Sequence, residues 1–600
     1  MSIPSLTEST IRQRTTAESF RRGQDYCQRG AVVSLVERGN VLQAEVEGSQ
    51  YEPYQVRVTF DAGGLTSAIC TCPYEGGGWC KHVVAALLTC LDEPEAVEAR
   101  PPLEEMLAGL ERDQLQALLL DLAERVPELV DGVEDALARL QVTPAAPTEA
   151  PAAAPPARRT PVDPQPFRRQ VSGILHSLDR MRASEAYWQV GSVVGDVRQL
   201  LEQARGFVEG GDGRNALLIL EAITDEYVEG WTNVDDSDGY AGDLFEDLGA
   251  VWAEALLTAD LTPAERRAWA QKLARWQGEI GAYGIDDVFD AAQGAAELGW
   301  DYPPLQRVLQ GEVTAQGAWE EEAPWYADDL AVARLNVLER QGRYQEYLYL
   351  AEAEGQVGRY VTMLAKMGRA QEAVDEGVRY LATADEALKV AQALREREEL
   401  AAAVRIAEHG LTLEGHKATL ATWLCDLAAG MGDAERALRA AGIAFRDSPG
   451  LGAYLKVQEL AGQRWPELQA ELLEHLRKTS PVFAQAHVDV FLHEGLLDDA
   501  IAVVEESGGY VSIEQVMDAA LERRQRLEWV IQAARKQAER IMDSGKAERY
   551  HYAIGWLERA RQAYQLADRQ AEWQAYLREI RARHGRKYKL MGMIDKFGRG

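Results

Sequence analysis

The sequence predicts a multidomain chain. A small α+β head is followed by a Pro/Ala-rich linker and a large all-α helical-repeat body. Three observations lead there. Apolar residues alternate with polar ones only near the N-terminus. Eight of the 22 prolines crowd into residues 144–166. Beyond that point the chain is rich in Ala, Leu, Glu, Arg and Gln at helical spacing. The boundaries read as 1–95 for the head, 96–141 for a short helical segment, 142–166 for the linker and 167–600 for the body.

In the head, RQRTTAESFRRGQDYCQRG (12–30) reads as one helix, with Phe20, Tyr26 and Cys27 on its apolar side and Gly30 as its stop. AVVSLVERGNVLQAEVEG and YQVRVTFDAGGLTSAICTC then alternate at period two and carry Val and Thr, so they read as antiparallel strands. Turns are expected at Arg38-Gly39-Asn40 and Ala62-Gly63-Gly64. After Cys80, HVVAALLTCL returns to helical spacing. Residues 102–141 read as two short helices. The linker, in polyproline form, reaches roughly 70 Å at ~3.1 Å per residue, so head and body are expected to be tethered but free to reorient.

The body repeats a pattern of Gly, a packing residue at +2, a small or aromatic residue at +5 and an aliphatic at +6. It occurs from Gly342, Gly368, Gly432 and Gly495, with a further copy from Gly211. Gly ends one helix and the small residue lets the next pack close. The copies near Glu398 and Gly462 are poor. The pattern resembles degenerate tetratricopeptide-like units of two helices; an irregular helical bundle is the alternative.

Composition limits function. The net charge is −32. Residues 1–90 are near neutral at −1, the tail 581–600 is +6, and the acidic middle holds the rest. An acidic body repels phosphate, so nucleic-acid contact would be confined to the ends. No apolar run approaches the ~20 residues of a membrane helix, and MSIPSLTESTIRQR has no signal core. Six cysteines are too few for a disulfide scaffold, and four of them fall between 70 and 90. This points to a local thiol site in a reducing compartment, hence a cytoplasmic protein without membrane attachment.

Cys70-Thr71-Cys72 is followed after seven residues by Cys80-Lys81-His82. Residues i and i+2 of a strand share a face, PYEGGGW turns the chain back, and Cys80 and His82 arrive at a helix start. Three thiolates and one imidazole close a tetrahedron around Zn²⁺, a structural site with no open position. Alternatives are unrelated core cysteines, iron–sulfur ligation or a catalytic zinc. Cys90 is a buried apolar residue or a substitute ligand; Cys27 and Cys425 read as core.

These residues, CTCPYEGGGWCKHVVAALL with SFRRGQDYCQRG upstream, resemble the SWIM zinc finger, whose pattern is CxC, a spacer, then CxH on an apolar helix. The resemblance covers roughly 15–92 with all four ligand positions filled. It implies a zinc-stabilised module that binds DNA or protein, as found beside chromatin-remodelling-type ATPases, in Mutator-like transposases and in partners of strand-exchange recombinases. The helical remainder loosely resembles large bacterial SWIM-containing proteins.

Other features carry paired readings. Arg12, Arg14, Arg21, Arg22 and Arg29 with Lys81 form a phosphate-facing patch or a solvated helix face. Trp79 is a packed residue or a stacking platform for a base or partner. Arg581, Arg583, Arg586, Lys587 and Lys589 grip nucleic acid or pair with the acidic body. Among these, Arg21, Arg22, Trp79, Lys81, Arg586 and Lys587 are the nucleic-acid candidates. The loop 233–239 fails as an EF-hand because Val234 and Phe245 stand at its key ligand positions. Other tryptophans, such as Trp252, read as packing residues. No phosphate loop, HExxH, GxSxG or dinucleotide fingerprint is present. The expected function is a zinc-binding, non-enzymatic adaptor whose SWIM-like module mediates protein and/or DNA interaction on an acidic helical scaffold, so the expected partners are protein and DNA; alternatives are a DNA-binding protein of repair, recombination or transcription using head and tail, and an enzyme with its site in the body. The oligomeric state has no sequence signal.

Overall fold

In the computed structural model, the described residues are 6–125, 161–178, 189–233, 239–479, 484–507 and 510–597, apart from 49, 51, 75 and 315. Most of the linker and most of the loop 233–239 lie outside them. The chain forms two compact units, Met1–Leu120 with Leu411–Gly600, and Asp121–Gly410.

The head begins with two helices, α1 (Glu8–Gln13) and α2 (Ala17–Gln28), where the sequence suggested one. Thr16 interrupts it: its hydroxyl accepts from the Ser19 amide and caps α2, as Thr7 caps α1. The break is held because Trp79 N–H donates to Arg14 O at 2.7 Å and Thr15 Oγ1 donates to Trp79 O at 2.7 Å. Then come β1 (Val32–Arg38), β2 (Val41–Val46), β3 (Tyr54–Asp61) and β4 (Gly64–Cys70), an antiparallel meander, followed by α3 (Lys81–Asp92). Both expected turns are present. Gly39 sits at φ +57°, and the Asp61 carboxylate accepts from the Gly63 amide at 2.7 Å. Tyr54, Val56, Val58 and Phe60 point inward at period two, and with Leu42, Ala44 and Val46 they pack against Val83, Val84 and Leu87. Gly23 of α2 leaves room for Val84 of α3.

A fifth strand, β5 (Glu98–Arg100), joins the sheet parallel to β1, giving the order β4-β3-β2-β1-β5. It lies past residue 95, inside the segment expected to be helical. Its three residues are exposed and give no alternating signal; only backbone pairing defines it. Helices Leu103–Ala108 and Arg112–Arg125 follow.

The head is not an independent bead. Within its unit it packs on helices Ala418–Gly430 and Leu451–Ala461. Arg14 pairs with Asp426, and Gln13 Nε2 donates to Gly452 O. Lys456, only 2% exposed, donates to Thr10 Oγ1 at 3.1 Å and lies 3.5 Å from Glu459. Gly430 faces the Gly63 backbone so closely that an added Cβ would lie 2.8 Å from Gly63 Cα. The expectation of a freely reorienting head is therefore corrected. Its cause is a buried cation and a glycine-to-glycine backbone approach joining residues about 400 apart in sequence.

The remaining elements are helices, and successive ones pack together, as Ala418–Gly430 does with Ala434–Asp447 and Leu527–Ser544 with Tyr550–Leu566. At Gly342, Gly368, Gly432 and Gly495 the backbone takes φ between +69° and +79°. Each turn repeats one geometry; Gly432 N–H donates to Ala429 O, and Asp433 N–H to Ala428 O. The +5 residues Tyr347, Ala373, Ala437 and Ala500 are all buried. The same turn also occurs with Glu398, Arg524 and Asp568 at the left-handed position. These copies lacked the glycine on which the sequence pattern was indexed. Gly462 adopts a different turn, φ 52° and ψ −124°. In the unit Asp121–Gly410, Trp252 and Trp276 are buried core residues, and Trp252 Nε1 donates to Thr224 Oγ1 at 2.9 Å. No helix among the described residues is long and apolar enough to cross a membrane.

Candidate metal centre

Cys70 ends β4, and β3 holds the chain beyond it. Thr71 N–H donates to Gln55 O at 3.0 Å, and Gln55 N–H donates to Thr71 Oγ1 at 3.0 Å. Thr71 is thus pinned to the neighbouring strand, and the flanking Cys70 and Cys72 turn their sulfurs to the other side. Tyr74 N–H donates to Cys72 O. Gly77 and Gly78 then reverse the chain at φ +75° and +72°, and Gly78 passes so near Arg14 O that a Cβ there would lie 2.7 Å from it. The chain re-enters at Cys80, the N-cap of α3. Its side chain makes no capping bond and stays free to turn to the site. His82 follows in the first turn.

The three sulfurs and one imidazole nitrogen lie within 4.8 Å of one another. His82 Nδ1 is 3.7 Å from Cys70 Sγ and 3.9 Å from Cys80 Sγ. A tetrahedron with Zn–S near 2.3 Å and Zn–N near 2.0 Å has edges of roughly 3.5–3.8 Å. The donor set and spacing therefore fit Zn²⁺, held by Cys70, Cys72, Cys80 and His82. The protein supplies all four corners, leaving no position for a reacting water, so the ion's contribution is structural.

The electrostatics agree. Cys80 is held down to about 3 by a hydrogen bond from the Cys70 thiol, helped by His82 and the Val83 amide at the start of α3. Cys70 is pushed up by its bond to Cys80 and by burial; Cys72 is pushed up by burial and then by Cys80. Three neighbouring sulfurs cannot all ionise without a cation among them, and a divalent ion reverses that logic.

Sequence reasoning missed the groups around His82. Tyr54 stacks on its ring at 4.3 Å, and Tyr26 meets it edge-on at 5.5 Å. Lys81 sits 4.6 Å over Tyr26, Arg29 lies 3.8 Å from the same ring, and the hydrogen bond from Lys81 lowers the Tyr26 hydroxyl's pKa. The only available signal was Tyr54 on the inward phase of β3, with no motif to link it to position 82. His82 Nε2 is buried without a hydrogen-bond partner among the described residues, and the two tyrosine rings pack against the imidazole. Gly48 makes room for this stack: a Cβ there would lie 3.2 Å from His82 Nε2.

The other cysteines stand apart from the cluster. Cys90 is half-buried, with its thiol pushed up by burial. Cys27 accepts a hydrogen bond from Thr89 Oγ1, and Cys425 is core, pushed up to about 12 by burial. Of the head's basic residues, Arg29 and Lys81 meet at the Tyr26 ring. Arg12 pairs with Glu8 and lies over Phe20, and Arg22 pairs with Glu18. Arg14 turns to Asp426 and lies 5.3 Å from the Trp79 ring, and Trp79 is half-buried against the head's core. Arg21 remains on the exposed face of α2. In the tail, Arg581 pairs with Asp595, Arg583 with Asp543, and Lys587 donates to Met542 O at the end of helix Leu527–Ser544. Arg586 and Lys589 are exposed.

Residues 54–91 match the SWIM zinc finger. A 119-residue segment is 37% identical to zinc finger SWIM domain-containing protein 8 of Bos taurus, covering 19% of this chain and 8% of that protein. The Homo sapiens protein gives the same identity over 6% of its length. The Drosophila melanogaster homologue is 35% identical over 117 residues. The chain thus aligns with less than a tenth of these relatives, and the likeness is confined to about a fifth of its own length.

Proposed function

We propose that this chain is a zinc-binding, non-enzymatic adaptor of the cytoplasm, in which the SWIM module recognises a protein partner and the acidic helical array presents it. The observation that supports the reading is the closed donor set: every corner of the tetrahedron is a protein atom, so the ion folds the head and has no open position of its own. The partner reading is supported by the charge distribution. Arg12, Arg14 and Arg22, three of the head's six candidate cations, are spent on carboxylates of this chain, as are Arg581 and Arg583 of the tail. A net charge of −32 adds a repulsive field toward phosphate.

The test uses the full chain. A labelled 30-base-pair duplex is titrated at 50 mM and 200 mM salt, and cross-linking from the head is compared between the wild type and Cys80→Ser. The adaptor reading expects no duplex shift at either salt and loss of head cross-links to captured protein in the variant. Duplex binding that weakens ~10³-fold or more between those salts would instead establish phosphate gripping by head and tail.

A further inference from the structure

Within the unit Asp121–Gly410, a cavity of about 380 Å³ opens between helices Tyr240–Thr258, Asp290–Leu298 and Ala327–Arg340. Its floor is small and apolar, with Gly249, Ala253, Ala291 and Ala333 buried. Its rim carries five carboxylates, Glu246, Glu254, Asp286, Asp287 and Asp329, and no Lys or Arg lines it. Trp325 stands at the mouth, 60% exposed, in a protein whose other large tryptophan clusters are packed.

The charges on this rim are not balanced from within. Glu254 is occupied by Asn336 Nδ2 at 2.7 Å and Arg340 Nη1 at 2.6 Å. Glu246, Asp286, Asp287 and Asp329 have no cation within ion-pairing distance among the described residues. Beside the groove, the Asp290 carboxyl is pushed up by burial and then by the neighbouring Asp287. Asp329 lies in the first turn of its helix, where the macrodipole favours an acid. Glu246 lies well inside the helix Tyr240–Thr258, where no such compensation operates.

An apolar floor, an uncompensated anionic rim and an exposed indole together complement one kind of occupant. We propose that this groove docks a basic segment of a partner protein, with an arginine or lysine laid on Trp325 between the carboxylates and small apolar neighbours against the floor. The guanidinium or ammonium supplies the charge the rim lacks, and the indole face adds a cation–π contact. The site is independent of the metal centre. Binding here therefore stands or falls separately from the adaptor reading of the head.

The probe is a labelled 12-residue peptide holding two arginines three residues apart in a Gly/Ser/Ala background, titrated into the full chain at 150 mM salt. Trp325→Ala should weaken binding about tenfold, between the values of an exposed and a desolvated cation–π contact, and Glu246→Gln/Asp287→Asn should weaken it at least as much. Glu435→Gln/Glu467→Gln, two exposed acids elsewhere, removes the same charge and should leave affinity within twofold. The peptide with citrulline in place of arginine should not bind. Trp325 is exposed, so its replacement spares the core, and unchanged helicity by circular dichroism verifies this. Equal weakening by both double variants would overturn the proposal, because attraction would then come from the general acidic field. An unaffected Trp325→Ala would overturn it too. Self-association of the chain abolished by Trp325→Ala would also overturn it, making a second copy the occupant.

Discussion

Cys80→Ser is the most informative perturbation of the head. Structural zinc sites of this kind hold the ion with an apparent ~10–16 kcal/mol at neutral pH, comparable to the ~5–15 kcal/mol that separates a folded domain from its unfolded chain. A serine hydroxyl is a poor zinc ligand, so three donors remain where four are needed. Losing even a third of the ion's contribution removes ~3–5 kcal/mol, enough to unfold a small head. In this structure the ion would tie three pieces: the end of β4, the loop after Cys72 and the start of α3. Without it, Val83, Val84 and Leu87 lose their fixed entry onto the sheet. Helices Ala418–Gly430 and Ala434–Asp447 pack against each other and keep that core. The assay combines elemental analysis, far-ultraviolet circular dichroism and tryptic digestion of the full chain. We expect zinc to fall from one ion per chain to none, rapid cleavage between Arg12 and Lys81, and nearly full helical signal. Retained stoichiometric zinc, or collapse of the helical signal throughout, would refute the reasoning.

Other outcomes follow from particular residues. Gly430→Ala places a methyl against the Gly63 backbone and should loosen the head from its helices at a cost of ~1–3 kcal/mol; faster hydrogen exchange in residues 8–14 with unchanged zinc content measures it. Thr10→Val removes the hydroxyl that receives the buried Lys456 ammonium and should destabilise the same interface by ~1–3 kcal/mol, read from the first thermal transition. Glu398→Gly relieves a left-handed φ of +63° and should raise thermal stability by ~1 kcal/mol. Burial lowers the pKa of His487, so below about pH 6.5 the unfolded chain binds the extra proton first. Stability near helix Ala484–His493 is then fully present above that pH and falls as the medium is acidified, and His487→Gln should flatten the profile in pH-dependent denaturant melts.

The sequence alone determined the features whose signal is local. Cys70, Cys72, Cys80 and His82 lie within 13 residues, and strand and helix periodicities place such neighbours without knowledge of the rest of the fold. The glycine-indexed helix turns were legible for the same reason: a left-handed residue and a buried small residue five positions on are fixed by backbone sterics. Where Glu398, Arg524 and Asp568 occupy that position, the steric cost is borne by the surrounding helix pairs, and the pattern vanished from the sequence. Tertiary structure alone decided the features that depend on distant residues. Tyr54 and Tyr26 close around His82 across three elements, Lys456 reaches Thr10 across 446 residues of sequence, and Arg14 spends its charge on Asp426. Burial and charge compensation are properties of what lies nearby in space. A basic or acidic residue read in sequence has no stated partner until the chain has packed.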